Sequence, residues 1–190
     1  MNRREAISSV ALLLGGTIIG GEIFSLAGCK SNPKQVNDLF NTDEVTYMNE
    51  IAETIIPATN TPGAKAAKTG EFMAVMVKDC YTPKDQKIFK EGLNTINEKA
   101  KSQYGSPFMD LKPDERKKLL SKLDDEQKKY SQNVANKDTH HYFRMMKELT
   151  LLGFFTSEIG GTKVLTYVEV PGRYDACIPY KKGDPVYLNP

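Results

Sequence analysis

The sequence predicts a mainly α-helical protein, a small single-domain bundle of about five helices with an irregular C-terminal strap. Three observations predict it. Apolar residues recur at helical spacing in successive stretches from Val45 to Phe155. Capping and breaking residues bracket those stretches. The pattern changes only beyond Gly160-Gly161.

Taken in order, Thr42-Asp43-Glu44 has the form of a helix start, an N-cap followed by acids in the first turn. Val45, Met48, Ile51, Ala52, Ile55 and Ile56 follow at helical spacing, and Pro57 ends the helix. Asn60-Thr61-Pro62-Gly63 is a turn cluster. A second helix is expected over 64–80, with Phe72, Val75, Met76 and Cys80 on one face. Thr82-Pro83-Lys84-Asp85 opens a third: Thr caps, Pro takes the first helical position, Asp closes a capping box. Its stripe is Ile88, Phe89, Leu93, Ile96 and Ala100, and Gly105-Ser106-Pro107 stops it. Pro113-Asp114-Glu115 opens a fourth carrying Leu119, Leu120 and Leu123; residues 124–138 are polar, a loop or an exposed continuation. His141 to Phe155 reads as a fifth, with Tyr142, Met145, Met146, Leu149 and Leu152 inward. Val164, Leu165, Val168 and Val170 then suggest one short strand or an extended wrap, followed by an irregular tail.

The N-terminus has the layout of an export signal. Arg3-Arg4 precedes an apolar run over 6–27, which closes on Leu26-Ala27-Gly28-Cys29. That tetrad looks like a lipobox. Residues 1–28 are then a signal peptide, Cys29 carries a diacylglyceryl group, and 29–41 are a polar tether to a domain over 42–190. The expected location is extracytoplasmic, anchored by lipid to a bacterial membrane. An uncleaved anchor is the alternative, since about 20 apolar residues span a bilayer. Glu22 and four glycines in the run argue against it. The Arg pair suggests twin-arginine export of folded protein, although Glu5-Ala6 stands where bulky apolar residues usually follow.

Composition narrows the classes. A net charge of +2, with Lys and Glu interspersed, points to no nucleic-acid partner. Of three cysteines, Cys29 is assigned to lipid. Cys80 and Cys177 remain, either as a disulfide tying the strap to the early helices or as two separate buried thiols.

Chemical motifs are sparse. No Gly-x-Gly-x-x-Gly follows a strand, no Cys-x-x-Cys-His offers a haem attachment, and two thiols are too few for an iron–sulfur cluster. The two histidines, His140 and His141, are adjacent, so on a helix they point about 100° apart and do not converge on one metal. Glu158, in Thr156-Ser157-Glu158-Ile159-Gly160 beside an aromatic helix end, is either a general acid–base or part of a helix-terminal hydrogen-bond network. No cofactor and no metal is expected on this chain.

Four segments in order carry a resemblance. They are Ile51-Ala52-Glu53-Thr54-Ile55-Ile56-Pro57 running into Thr61-Pro62-Gly63-Ala64; Phe89-Lys90-Glu91-Gly92-Leu93 with Tyr104-Gly105; Lys147-Glu148-Leu149-Thr150 through Gly153-Phe154-Phe155-Thr156-Ser157-Glu158-Ile159-Gly160; and Tyr167, Val170-Pro171-Gly172, Tyr174 and Cys177. Together they resemble the gluconate 2-dehydrogenase subunit 3 family over about residues 44–180. The resemblance implies the non-catalytic small subunit of a membrane-associated sugar or sugar-acid dehydrogenase. Its large partner is an FAD-dependent flavoprotein of the glucose–methanol–choline type, and a haem-bearing cytochrome c often accepts the electrons. The chain would act as scaffold, export escort and membrane anchor. The lipobox departs from family members that are plain soluble subunits.

Two other readings compete: a free-standing lipoprotein that binds a sugar or cell-surface component, and an independent hydrolase or isomerase built around Glu158. For the subunit reading, the partner-facing candidates are Thr61, Pro62, Gly63, Thr156, Ser157, Glu158, Pro171, Gly172 and Tyr174, against the simpler view that Pro and Gly there only shape turns.

Overall fold

The computed structural model describes residues 34–133, 139–170, 172, 177, 179–184 and 186–187. They belong to the unit spanning Gln35–Pro190, apart from Lys34 at its border. The expectations for Arg3, Arg4, Cys29, Pro171 and Tyr174 lie outside the described residues.

Five α-helices make up the described architecture: α1 (Thr42–Ile55), α2 (Thr69–Cys80), α3 (Pro83–Tyr104), α4 (Pro113–Gln132) and α5 (Tyr142–Phe155). A short 3-10 turn over Phe108–Asp110 joins α3 to α4, and a π-helical turn over Gly160–Val164 follows α5. The protein is mainly helical, as the apolar periodicity predicts. Among the described residues, no helix is long and apolar enough to cross a membrane.

The last helix organises the bundle: α5 packs against each of the other four. Its Phe143, Met145, Met146, Leu149 and Phe154 enter one core with Met48 and Ile51 of α1, Met73 and Val77 of α2, Phe89 and Ile96 of α3, and Leu119 and Leu123 of α4. Burying side chains of this size contributes about 1.5–3 kcal/mol each before the chain entropy is set against it.

The helix ends follow local chemistry. Thr82 caps α3 by accepting Asp85 N–H, with Pro83 at the first position, and Gly105 ends the helix in the left-handed conformation at φ 77°. At α1 the cap is Asn41 rather than Thr42. Asn41 Oδ1 accepts Asp43 and Glu44 N–H at 3.0 Å each, and Glu44 accepts Asn41 N–H at 2.9 Å. Only Asn41 has a glutamate three residues on to complete this reciprocal box.

Other features of the fold have local physical causes. Residues 35–41, expected as the end of the tether, are fastened to the bundle: Asn37 Nδ2 donates to Ala74 O at 3.0 Å, Lys90 Nζ donates to Leu39 O at 2.6 Å, and Phe40 is fully buried. The second helix begins at Thr69 rather than Ala64. Ala64 O is taken by the Thr69 hydroxyl at 2.7 Å, and Lys68 is left-handed at φ 53°, which breaks any continuous helix. Of the two readings of 124–138, the exposed continuation holds as far as Gln132, where α4 ends. Beyond α5, where a short strand or an extended wrap is expected, the described residues make a π-helical turn over Gly160–Val164 and then irregular chain with one parallel bridge, Thr166 to Tyr187.

Candidate partner interface

The segment Thr61-Pro62-Gly63 is held from below by α1. Glu53, on its last turn, accepts Ala58 N–H at 2.9 Å and Lys65 N–H at 2.8 Å, so one carboxylate clamps both ends of the turn. Ala64 N–H donates to Ile56 O at 3.0 Å, closing it. A Cβ at Gly63 would overlap the Glu53 carboxylate and lie 2.6 Å from Ala58 N. Gly63 therefore has a packing reason for lacking a side chain. One turn back, Glu50 pairs with Lys65 and with Arg116 Nη1, the latter at 2.7 Å. The Lys65 hydrogen bond, aided by Arg116 and opposed by burial, holds the Glu50 carboxyl below its usual pKa.

The segment Thr156-Ser157-Glu158 finishes α5. Ser157 Oγ donates to Phe154 O at 2.6 Å and accepts Gly160 N–H at 3.0 Å, while Thr156 Oγ1 donates to Leu152 O at 2.7 Å. Leu152 O and Phe154 O also accept the backbone N–H groups of Thr156 and Ser157, so the hydroxyls reinforce an end that the backbone already closes. The Glu158 side chain is exposed. Gly172 is exposed with open space around it.

Cys80 and Cys177 are both free and exposed, which corrects the two expectations of a disulfide and of buried thiols. Cys80 stands on the last turn of α2, with its thiol directed to Met76 Sδ at 3.9 Å. Cys177 lies in the strap beyond the last helix.

The most partner-like surface includes Leu152, which the sequence reading places inward. Leu151, Leu152 and Phe155 recur on one face of α5, and they are 40%, 46% and 37% exposed. Val75 on α2, expected inward, is 54% exposed. The two helices meet at Gly153, which backs onto the Phe72 ring. Leu151 and Phe155 stand two residues either side of Gly153, so at about 100° per residue they point away from this seam and into solvent. A signal for the face was present in the sequence. The C-terminal half of α5 is apolar on more sides than the bundle can cover, and such a helix either lies wholly inside or meets a partner.

A cleft of about 380 Å³ opens between α1, α4 and α5, lined by residues including Ile55, Asp124, Lys128, Phe143 and Lys147. Asp124 accepts Lys147 Nζ at 2.6 Å and pairs with Lys128 Nζ at 2.8 Å. Burial works to raise its pKa, but the Lys128, Lys147 and Gln127 hydrogen bonds prevail and bring it to about 2. Such a group is a salt-bridged anchor, a poor proton donor or acceptor near neutral pH. At the start of α5, burial pulls the His141 pKa down, and its Nδ1 accepts Phe143 N–H at 3.2 Å as the helix cap. No three His, Cys, Asp or Glu side chains among the described residues are arranged to hold a metal ion.

Comparison with known proteins gives one match. The family model described as gluconate 2-dehydrogenase subunit 3 covers residues 42–172. No curated protein and no solved structure matches the chain.

Proposed function

Because that match takes in well over half of the chain, the protein belongs to the gluconate 2-dehydrogenase subunit 3 family, and from this membership we propose that it is the non-catalytic small subunit of a membrane-associated sugar or sugar-acid dehydrogenase. Its partner is a large FAD-dependent flavoprotein of the glucose–methanol–choline type, which supplies the redox chemistry, and a cytochrome c takes the electrons onward. The observation that supports this reading is the apolar face of α5, where Leu151, Leu152 and Phe155 are each more than a third exposed. Apolar area of this kind gains free energy only when another surface covers it.

The N-terminal sequence supports two further parts of the proposal. Arg3-Arg4 suits export of a folded complex, so this chain escorts a flavoprotein that binds FAD before crossing. Cys29, after Leu26-Ala27-Gly28, takes the lipid that holds the complex on the membrane. The experiment is deletion of this chain from its native host, followed by fractionation. Dehydrogenase activity should leave the membrane fraction while the flavoprotein polypeptide is still made. Full activity at the membrane without this chain would overturn the proposal.

A further inference from the structure

Beside the α2–α5 seam lies a small cavity of about 180 Å³, lined by Cys80, Tyr81, Thr82, Asp85, His140, Met145 and Glu148. Two of these residues carry sulfur and one an imidazole. A further sulfur, Met76 Sδ, stands 3.9 Å from Cys80 Sγ, one helical turn away. We propose that Cys80, Met76, His140 and Met145 form a binding site for a soft monovalent cation of the copper(I) class.

The donor set selects the ion. Thiolate and thioether sulfur favour soft cations, and thioethers are poor ligands for zinc, calcium or magnesium. A zinc site would need three or four ligands from thiolate, imidazole and carboxylate, and no such trio converges among the described residues. Copper(I) makes good use of the sulfurs that remain. Two sulfurs at about 2.3 Å from one metal, the length of a metal–thiolate bond, stand roughly 4 Å apart in a trigonal arrangement, close to the separation found here.

The surroundings suit a cation and a fixed site. Cys80 is the last residue of α2, where the helix dipole is negative. Glu148 and Asp85 stand at the cavity. The turn itself is pinned by Gln86, whose Nε2 donates to the carbonyls of Val77, Lys78 and Tyr81 at 3.2, 2.9 and 3.2 Å. Binding needs no change of oxidation state. Cys80 gives its thiol proton to solvent as the sulfur–copper bond forms.

The test is anaerobic titration of the full-length protein with copper(I) against a chromogenic copper(I) chelator. One equivalent per chain should withstand the chelator. Cys80→Ser should weaken affinity by more than about 100-fold, and the nearly isosteric Met76→Leu by about tenfold or more. Cys177→Ser should bind as the wild type does, and helical circular dichroism should be unchanged in all three. Failure of the wild type to hold copper(I), wild-type affinity in Cys80→Ser or Met76→Leu, loss of binding in Cys177→Ser, or equal preference for zinc would each overturn the site.

Discussion

The Cα of Gly153 packs directly against the ring of Phe72: a methyl group at Gly153 would lie 2.5 Å from Phe72 Cδ1. Helices α2 and α5 are brought together at this point. Gly153→Ala would force the ring aside and should destabilise the domain by about 1–3 kcal/mol. Phe72→Leu should relieve part of that cost, so the double variant should be more stable than additivity gives. Thermal or urea unfolding of the four proteins measures the coupling; strict additivity would mean that the two residues do not meet.

Glu53 acts on the neighbouring turn without touching solvent chemistry of its own. Removing its carboxylate in Glu53→Ala leaves Ala58 and Lys65 N–H without their acceptor. The expected loss is about 1–2 kcal/mol, with faster amide hydrogen exchange at Ala58 and Lys65 than elsewhere. Unchanged exchange at both amides would show that the clamp is not what holds Thr61-Pro62-Gly63.

Much of this was readable from the chain, and the exceptions have reasons. Pro83 after Thr82, and Gly105 after Tyr104, mark helix ends by chemistry that acts within a few residues, and α3 has those ends. The α1 cap was one residue off because Asn41 and Thr42 are both good caps, and only the Glu44 partnership separates them. The start of α2 depends on tertiary closure of Ala64 onto Ile56, which no local pattern encodes. Leu152 and Val75 fit a helical stripe yet face outward, because periodicity gives a face and not what covers it. Thr61–Gly63 is held by the Glu53 carboxylate and Thr156–Ser157 bond back to the end of α5, tertiary and helix-end contacts that the turn-forming residue types alone do not specify.

Asp124 gives a pH signature with a defined sign. Its carboxyl falls from 3.8 to about 2 in the fold, beside Lys128 and Lys147. A depressed acid stabilises above its unfolded pKa, and that stabilisation is lost as pH falls through the folded one. Asp124→Asn should therefore cost about 1–2 kcal/mol near neutral pH, after allowance for solvent screening at the cleft. The gap between variant and wild type should shrink between pH 3.8 and about 2 and close below it. A gap that persists undiminished at the lowest pH would assign the effect to packing.

The α5 face can be separated from stability. Leu151→Gln and Leu152→Gln alter exposed positions without adding charge near the helix end, so the melting temperature of the isolated protein should change little. Affinity for the large subunit should fall more than about tenfold, as for residues central to an interface. Co-purification with the flavoprotein reads both variants. Full binding by both would move the interface to another surface.

The most direct measurement of the central claim is gentle affinity isolation of the native protein from membranes, with flavin absorbance and mass spectrometry on the product. An accessory subunit should bring down a yellow complex containing one large flavoprotein per chain, with a lipid-modified Cys29 at the mature N-terminus. A colourless protein recovered alone would contradict the account.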